Sequence, residues 1–452
     1  MLVAGAGVAG AACAEVLVRL GAAVTVLDRA ESPNTEHLRG LGVAVVLGDE
    51  PPADLLDRLD DVVVSPGYAP HTPVVRAAVS AGVPVYSEPE LAWRLRGPDA
   101  PAWLAITGTN GKTTTTTMLA SILRAAGLHT AALGNIGEPL VHAALDGSRF
   151  DVLAVELSSF QLHWSSTMAP QAGALLNLAD DHLEWHGSFA AYAEAKYAIW
   201  RGAGAGATAV GNLDDARVAH ALAQVEGSVG VTVGEPKPGQ LGVIDDRLVD
   251  WAFQAEPVDL GPAGGIRPAG RHNVSNALHA AALARAHGVA PAAVADGLAG
   301  YEPEPHRNAF IASVGGVAYV DDSKATNPHA AAASLHAYPR LVWIVGGQLK
   351  GVDISELVVS VADRLAGAVL LGIDRAEVAA ALARHAPNVP VIDVARTDDG
   401  AMADVVGAAA SLARPGDTVL LAPAAASKDM FISYAHRGDS FAAAVRALGS
   451  GA

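Results

Sequence analysis

The sequence predicts an α/β protein of three domains: a Rossmann-like N-terminal domain, a central P-loop ATPase-type domain and a Rossmann-like C-terminal domain. Three observations predict it. Short apolar, β-branched runs alternate with helix-like segments along most of the chain, the pattern of parallel strands covered on both faces. Two Gly-rich turns, Gly5-Ala-Gly-Val-Ala-Gly10 and Gly108-Thr-Asn-Gly-Lys-Thr-Thr114, each lie between such a strand and a helix. And 452 residues are too many for one core.

The elements follow in order. Residues 1–97 form the first predicted domain, with a strand at Leu2–Gly5, a helix over 8–20, and strands at Ala23–Leu27, Val43–Leu47 and Asp61–Ser65. Arg96-Gly-Pro-Asp-Ala-Pro101 reads as a linker. Residues 98–300 form the second. It opens with a strand at 102–105, the second Gly-rich turn and a helix over 113–126. Strands at His129–Leu133, Asp151–Val155 and Gly173–Asn177 come next, then a helix with Tyr192, Lys196 and Trp200, then a Gly/Pro-rich stretch near 233–270. Residues 301–452 form the third, with strands at Val317–Val320, Leu341–Val345, Gly367–Leu371, Val389–Ile392 and Asp417–Leu421 between Ala-rich helices.

Composition excludes several classes. Hydrophobic residues make up 51% of the chain, yet no run of 18 uninterrupted apolar residues occurs, so no membrane insertion is expected. No charged segment followed by an apolar one marks a secretion signal. Cys13 is the only cysteine, which rules out an intrachain disulfide and fits a reducing cytoplasm. A net charge of −17 without a basic stripe argues against nucleic acid as a partner.

The turn at 108–114 has the context of a phosphate cradle. Glycines let the backbone wrap around oxygens, and the N–H groups of the helix start point inward with the positive end of the helix dipole. Lys112 can reach β- and γ-phosphates, and the Thr113 hydroxyl can bind Mg²⁺. The full pattern G-x-x-x-x-G-K-[ST] is not met, because Ile106 stands where its first Gly would be. Gly5 to Gly10, with Asp28 ending the next strand, matches the dinucleotide fingerprint. Alone it reports only an anion at a helix N-terminus, so NAD, another nucleotide or a bare tight turn all satisfy it.

Glu156 ends a strand near the phosphate loop, where a carboxylate is a natural Mg²⁺ ligand. His182, in Asn177-Leu-Ala-Asp-Asp-His182, also follows a strand and can join a metal site. Lys196 lies in an apolar helix and by its neighbours alone reads as a solvated or snorkelling side chain. Asp321-Asp-Ser-Lys-Ala-Thr-Asn-Pro328, Gly346-Gly-Gln-Leu-Lys350 and Ala422-Pro-Ala-Ala-Ala-Ser-Lys428 all leave apolar strands, which points to one shared cleft edge. An NAD-dependent oxidoreductase and a regulatory ATP-binding protein both remain open on these residues.

Taken in order, these segments resemble the Mur ligase family of ATP-dependent amide ligases. Gly108 to Thr114 resembles the family's ATP loop, which carries the same shortened pattern. Glu156-Leu-Ser-Ser-Phe-Gln-Leu162 and the stretch from Asn177 to Asp181-His182 resemble its metal-binding segments, and Ala195-Lys196 its carbamylated lysine. His272-Asn273 with Asn276 resembles its adenine-contacting stretch, and His306-Arg307 the start of its third domain. Asp322-Ser-Lys-Ala-Thr-Asn327 resembles the D-glutamate-adding branch.

The resemblance implies that Gly108, Thr109, Asn110, Gly111, Lys112, Thr113, Thr114, Asn276, Arg307 and Asp322 bind ATP. Thr113, Glu156, His182 and a carbamylated Lys196 would hold two Mg²⁺ ions, with Lys112, His182 and Lys196 catalytic. Gly7, Val8, Asp28, Gly67 and Asn135 would bind UDP-N-acetylmuramoyl-L-alanine, so the first Gly-rich turn becomes a UDP site. Lys324, Thr326, Lys350 and Ser427 would bind D-glutamate. The implied reaction is ATP-driven amide formation through an acyl phosphate, in peptidoglycan precursor synthesis, by a cytoplasmic monomer.

Overall fold

The computed structural model describes residues 1–146, 149–303, 305–398 and 400–450. Three sheets form, one in each of three α/β domains. The first contains β1 (Leu2–Ala4), β2 (Thr25–Asp28), β3 (Ala44–Leu47), β4 (Val62–Val64) and β5 (Val85–Ser87), in the order β3-β2-β1-β4-β5, all parallel. Alternation along β1 and β4 sends Val3 and Val63 into one apolar cluster and Leu2, Ala4, Val62 and Val64 into another. Both faces are covered, which is why these strands are apolar at every position.

The second sheet contains β6 (Ala102–Thr107), β7 (Ala132–Gly134), β8 (Val152–Glu156), β9 (Ala172–Leu175), β10 (Thr208–Asn212), β11 (Val229–Val231), β12 (Gln240–Ile244), β13 (Arg247–Asp250) and β14 (Val258–Pro262). Their order is β14-β13-β12-β11-β10-β9-β6-β8-β7. β8 returns beside β6 on one side and β9 forms on the other, so the winding direction reverses about β6. The carboxyl end of β6 is therefore a topological switch point, where α/β sheets open a ligand crevice. Within the Gly/Pro-rich stretch near 233–270 lie β12, β13 and β14, paired antiparallel with one another in that order. β12 and β13 are joined through Asp245 and Asp246, both at positive φ (48° and 59°). Two such residues in succession match the twist of a tight hairpin, and Asp tolerates that conformation.

The third sheet contains β15 (Ala309–Val314), β16 (Val317–Asp321), β17 (Leu341–Gly346), β18 (Leu365–Leu371), β19 (Val391–Asp393) and β20 (Thr418–Leu421), in the order β15-β16-β20-β17-β18-β19. Only β15 is antiparallel, an edge strand that the sequence reading leaves unassigned. Its residues are half-buried or exposed, with Phe310 65% exposed, so it lacks the apolar run of its neighbours.

The chain groups into two compact units: Met1–Ala263 with Ser275–Tyr301, and Gly264–Val274 with Glu302–Ala452. The first unit holds the first two sheets. At their seam, Glu90 of helix Glu88–Leu95 is 0% exposed and accepts from the backbone N–H groups of Ser166, Thr167 and Met168 and from the Thr167 hydroxyl. Burial alone would raise its carboxyl. The bonds from Thr167, Arg94 and Ser166 outweigh that and hold it at about 2. No helix among the described residues is long and apolar enough to cross a membrane.

Candidate active site

The phosphate loop leaves β6 at the switch point. Ile106 is the fifth residue of β6, fully buried and paired with both Glu156 and Ala174. The position of the missing first Gly is thus a regular strand residue that needs no special backbone freedom. The requirement falls on Gly111. Its φ is +84°, and a Cβ there would lie 2.6 Å from Asn276 Oδ1. Helix Lys112–Ala125 starts at the next residue.

Neighbouring strands hold the loop. The Asn177 side chain, just past β9, accepts from Asn110 N at 2.9 Å and donates to Asn110 O at 3.1 Å. The Thr109 hydroxyl accepts from Ala179 N at 3.0 Å and meets the Tyr192 hydroxyl at 2.8 Å. The sequence reading gave neither Asn177 nor Tyr192 a role at the loop. The signal for Asn177 is its place at the end of an apolar strand.

Two lysines converge on the loop. Lys112 Nζ donates to Gly108 O and Thr109 O, each at 2.9 Å. Lys196 Nζ donates to Gly108 O at 2.8 Å and to Thr107 Oγ1 at 3.3 Å, and lies 4.9 Å from the Tyr192 ring centre. Lys196 is 1% exposed, so the reading of its neighbours alone, a solvated or snorkelling lysine, is corrected. The helix Phe189–Tyr197 packs that face inward. Burial first, and the Lys112 charge second, push the Lys196 amine well below the ordinary lysine range.

Glu156 ends β8 and is 1% exposed. Its Oε1 accepts from Asn135 Nδ2 at 2.8 Å, and its buried Oε2 has no hydrogen-bond partner. An unpartnered carboxylate oxygen beside the phosphate loop suits a hard cation. His182 takes a left-handed backbone (φ 52°) and its ring lies 4.6 Å from that of Phe160. Its side chain is 44% exposed, with Asp181 Oδ2 3.6 Å from Nε2. No three His, Cys, Asp or Glu side chains gather as a metal cage among the described residues. An ion held there would lean on few protein oxygens, the usual habit of Mg²⁺ on a nucleotide.

The first Gly-rich turn is built from closer packing and fewer charges. A Cβ on Gly10 would lie 1.8 Å from Gly5 O. Asp28 Oδ2 accepts from Ala6 N at 2.5 Å, so this carboxylate braces the turn itself. Gly7 ends the turn without a side-chain cap, while Val8 is 73% exposed. Gly67 is exposed, and the carbonyl of the next residue, Tyr68, accepts from Trp164 Nε1 at 3.3 Å.

In the second unit, three loops follow neighbouring strands β16, β20 and β17. Ala424 N donates to Ala325 O at 2.9 Å, and Gln348 and Ala426 pair in both directions at 2.9 and 3.0 Å. Arg437, 1% exposed, clamps two of the loops through Ser323 and Ala425. Lys324 Nζ lies 3.9 Å from the Tyr434 ring centre, Lys350 has φ 56°, and Ser427 is 4% exposed. Thr326 N donates to Lys324 O at 2.8 Å. Asp322 accepts from Asn308 N at 3.1 Å and from the Ser334 hydroxyl. Its carboxyl is pushed up to about 7, by burial before any other cause, and the Arg307 charge opposes that rise. Asn276 belongs to the first unit, Arg307 and Asp322 to the second.

Comparison with known proteins bears on this geometry. Residues 1–87 match the MurD-like N-terminal domain, 106–284 the Mur ligase middle domain, and 306–425 the Mur ligase glutamate ligase domain. The UDP-N-acetylmuramoylalanine–D-glutamate ligase of Thermobifida fusca is 54% identical, over 99% of this chain and 98% of the relative. The chain belongs to the Mur ligase family. The Streptomyces coelicolor ligase of the same name is 53% identical over the same shares. Among solved Mur ligases, MurF from Acinetobacter baumannii superposes with a TM-score of 0.60 at 18% identity, covering 94% of this chain and 90% of that one. MurC from Thermotoga maritima gives 0.57 at 17%, covering 99% of both. At such identities the likeness concerns the three-domain fold alone.

Proposed function

We propose that this Mur ligase joins D-glutamate to UDP-N-acetylmuramoyl-L-alanine with ATP, in peptidoglycan precursor synthesis. The observation that carries the reading is 54% identity to a D-glutamate ligase over 99% of the chain. The domain limits we assign are 1–97, 98–300 and 301–452.

A carboxylate resists amines because its carbonyl is deactivated and oxide is a poor leaving group. Phosphoryl transfer from ATP to the L-alanine carboxylate supplies one. The D-glutamate amine then attacks the acyl phosphate, and the tetrahedral intermediate collapses to the amide with release of phosphate. Negative charge is dense at both reactants of the first step, so positioning and neutralisation dominate. In this reading Lys112 and the amides of Gly108–Thr114 hold the β- and γ-phosphates, and Asn276, Arg307 and Asp322 bind the rest of the nucleotide. Thr113 and Glu156 would hold one Mg²⁺, and His182 with a carbamylated Lys196 a second. Bound there, Mg²⁺ would supply charge neutralisation at the phosphates. The depressed Lys196 amine supports carbamylation, because the neutral amine is the form that captures CO₂. Gly7, Val8, Asp28, Gly67 and Asn135 bind the UDP-sugar, and Lys324, Thr326, Lys350 and Ser427 the carboxylates of D-glutamate. The enzyme works as a cytoplasmic monomer.

The test is phosphate release from ATP with Mg²⁺ and UDP-N-acetylmuramoyl-L-alanine, with D-glutamate present, omitted or replaced by L-lysine or diaminopimelate. Release and amide product that require D-glutamate are expected. Release with another acceptor instead would overturn the assigned substrate.

A further inference from the structure

We propose that Tyr301 is a positioning residue for the nucleotide, its hydroxyl tying the first turn of the phosphate-loop helix to the point where the chain leaves the first unit. The proposal rests on the ATP site assigned above.

The first unit ends at Tyr301, which is 7% exposed. Its hydroxyl lies 2.9 Å from Thr117 Oγ1. Thr117 Oγ1 also lies 2.9 Å from Thr113 O and 3.1 Å from Thr114 O. A carbonyl only accepts, and a threonine hydroxyl has one proton. The Thr117 proton therefore goes to the helix, and the Tyr301 phenol donates to Thr117. The result is a directed chain from the Tyr301 hydroxyl through the Thr117 hydroxyl to the Thr113 carbonyl. Thr113 is the second residue of helix Lys112–Ala125, directly after Lys112.

The segment leading to Tyr301 is fastened to the same helix. Ser121 Oγ donates to Gly297 O at 2.7 Å. A Cβ on Gly297 would lie 2.3 Å from Ile122 Cα, so helix Pro291–Ala299 meets the phosphate-loop helix backbone to backbone. That contact leaves no room to slide, and the Tyr301 hydroxyl adds a polar stop at Thr117, one turn beyond Thr113. Six positions later comes Arg307, assigned to the nucleotide. A buried phenol could have been satisfied by any acceptor. Here the acceptor is a hydroxyl already committed to the phosphate-loop turn.

Tyr301→Phe deletes the hydroxyl and keeps the ring, and Thr117→Val deletes the acceptor and keeps the shape. Calorimetry with ADP and Mg²⁺ is expected to show about fivefold weaker nucleotide binding for Tyr301→Phe, the scale of one neutral hydrogen bond. kcat/KM for ATP should fall by the same factor, with KM for the UDP-sugar and for D-glutamate unchanged. The double variant should bind ADP no more weakly than Thr117→Val alone, and Thr117→Ser should bind as the wild type does. Unchanged ADP affinity in Tyr301→Phe, a loss spread equally over all three substrates, or additive losses in the double variant would overturn the tie. Wild-type turnover is measured alongside. If the wild type makes no amide while Tyr301→Phe still weakens ADP binding, the assigned reaction fails and the tie stands.

Discussion

The first and second sheets open with the same device and equip it differently. Each sends a parallel strand into a Gly-rich turn and then a helix, which presents backbone N–H groups to an anion. In the first sheet the turn is closed by packing: Gly10 leaves 1.8 Å for a Cβ, and Asp28 is spent on Ala6 N. In the second, Lys112, Lys196 and Glu156 crowd the turn, and Lys196 is buried without a carboxylate bonded to it. In the proposed reading the first arrangement would hold a phosphate that stays intact. The second concentrates charge where, in the same reading, a phosphoryl group would move. Shared backbone geometry therefore says little about chemistry; the side chains that neighbouring elements contribute decide it.

The comparison breaks most visibly at Lys196. Lys196→Ala is expected to lower turnover about 10³-fold, the upper end of the range seen when a charge-stabilising group is lost. Binding of the UDP-sugar, read by calorimetry, should remain, and a small added carboxylic acid should restore part of the rate. Near-normal turnover would remove the carbamate. Next comes Glu156→Gln. The amide can still pair with Asn135 but loses the charge, so turnover should fall about 10²-fold, with a higher Mg²⁺ requirement and an unchanged melting temperature. A fall in stability as large as the fall in rate would make Glu156 structural.

On the other side, Gly10→Ala should cost about 1–3 kcal/mol of stability, since the methyl meets a backbone carbonyl that cannot step aside. Denaturant unfolding reads that loss, and UDP-sugar binding should weaken while ADP binding persists. An equal loss of ADP binding would mean the two turns are not independent. The smallest effect is on pH. His279 in the first unit is 0% exposed and donates to Ser275 O at 2.7 Å; burial pushes its pKa down to about 4 from the ordinary 6.5. Between those values the unfolded chain takes up a proton that the folded chain refuses, so stability falls as pH drops from 6.5 toward 4. His279→Gln should flatten that part of a melting-temperature profile, and an unchanged slope would assign the acid sensitivity to other groups, His186 and His272 among them.

Much of the fold was legible because parallel strands buried on both faces are apolar at every position, as in β1, β4 and β17. The antiparallel strands were not. β15 has no buried position, and β14 has one, so neither carries an uninterrupted apolar run. The phosphate loop and Glu156 were legible from their place at strand ends. Tyr192, Glu90 and Tyr301 were not, because each acts on a partner at least 70 residues away, at Thr109, Thr167 and Thr117.

What the sequence by itself determined is the set of parallel α/β layers, the two Gly-rich strand-to-helix turns and the family, since periodicity and short motifs are local and survive in one dimension. What only the tertiary structure decided is where the charges end up. Lys196 on an apolar helix reads the same whether it faces water or the Gly108 carbonyl. Burial and a second lysine made its amine different, and both come from segments far away in the chain.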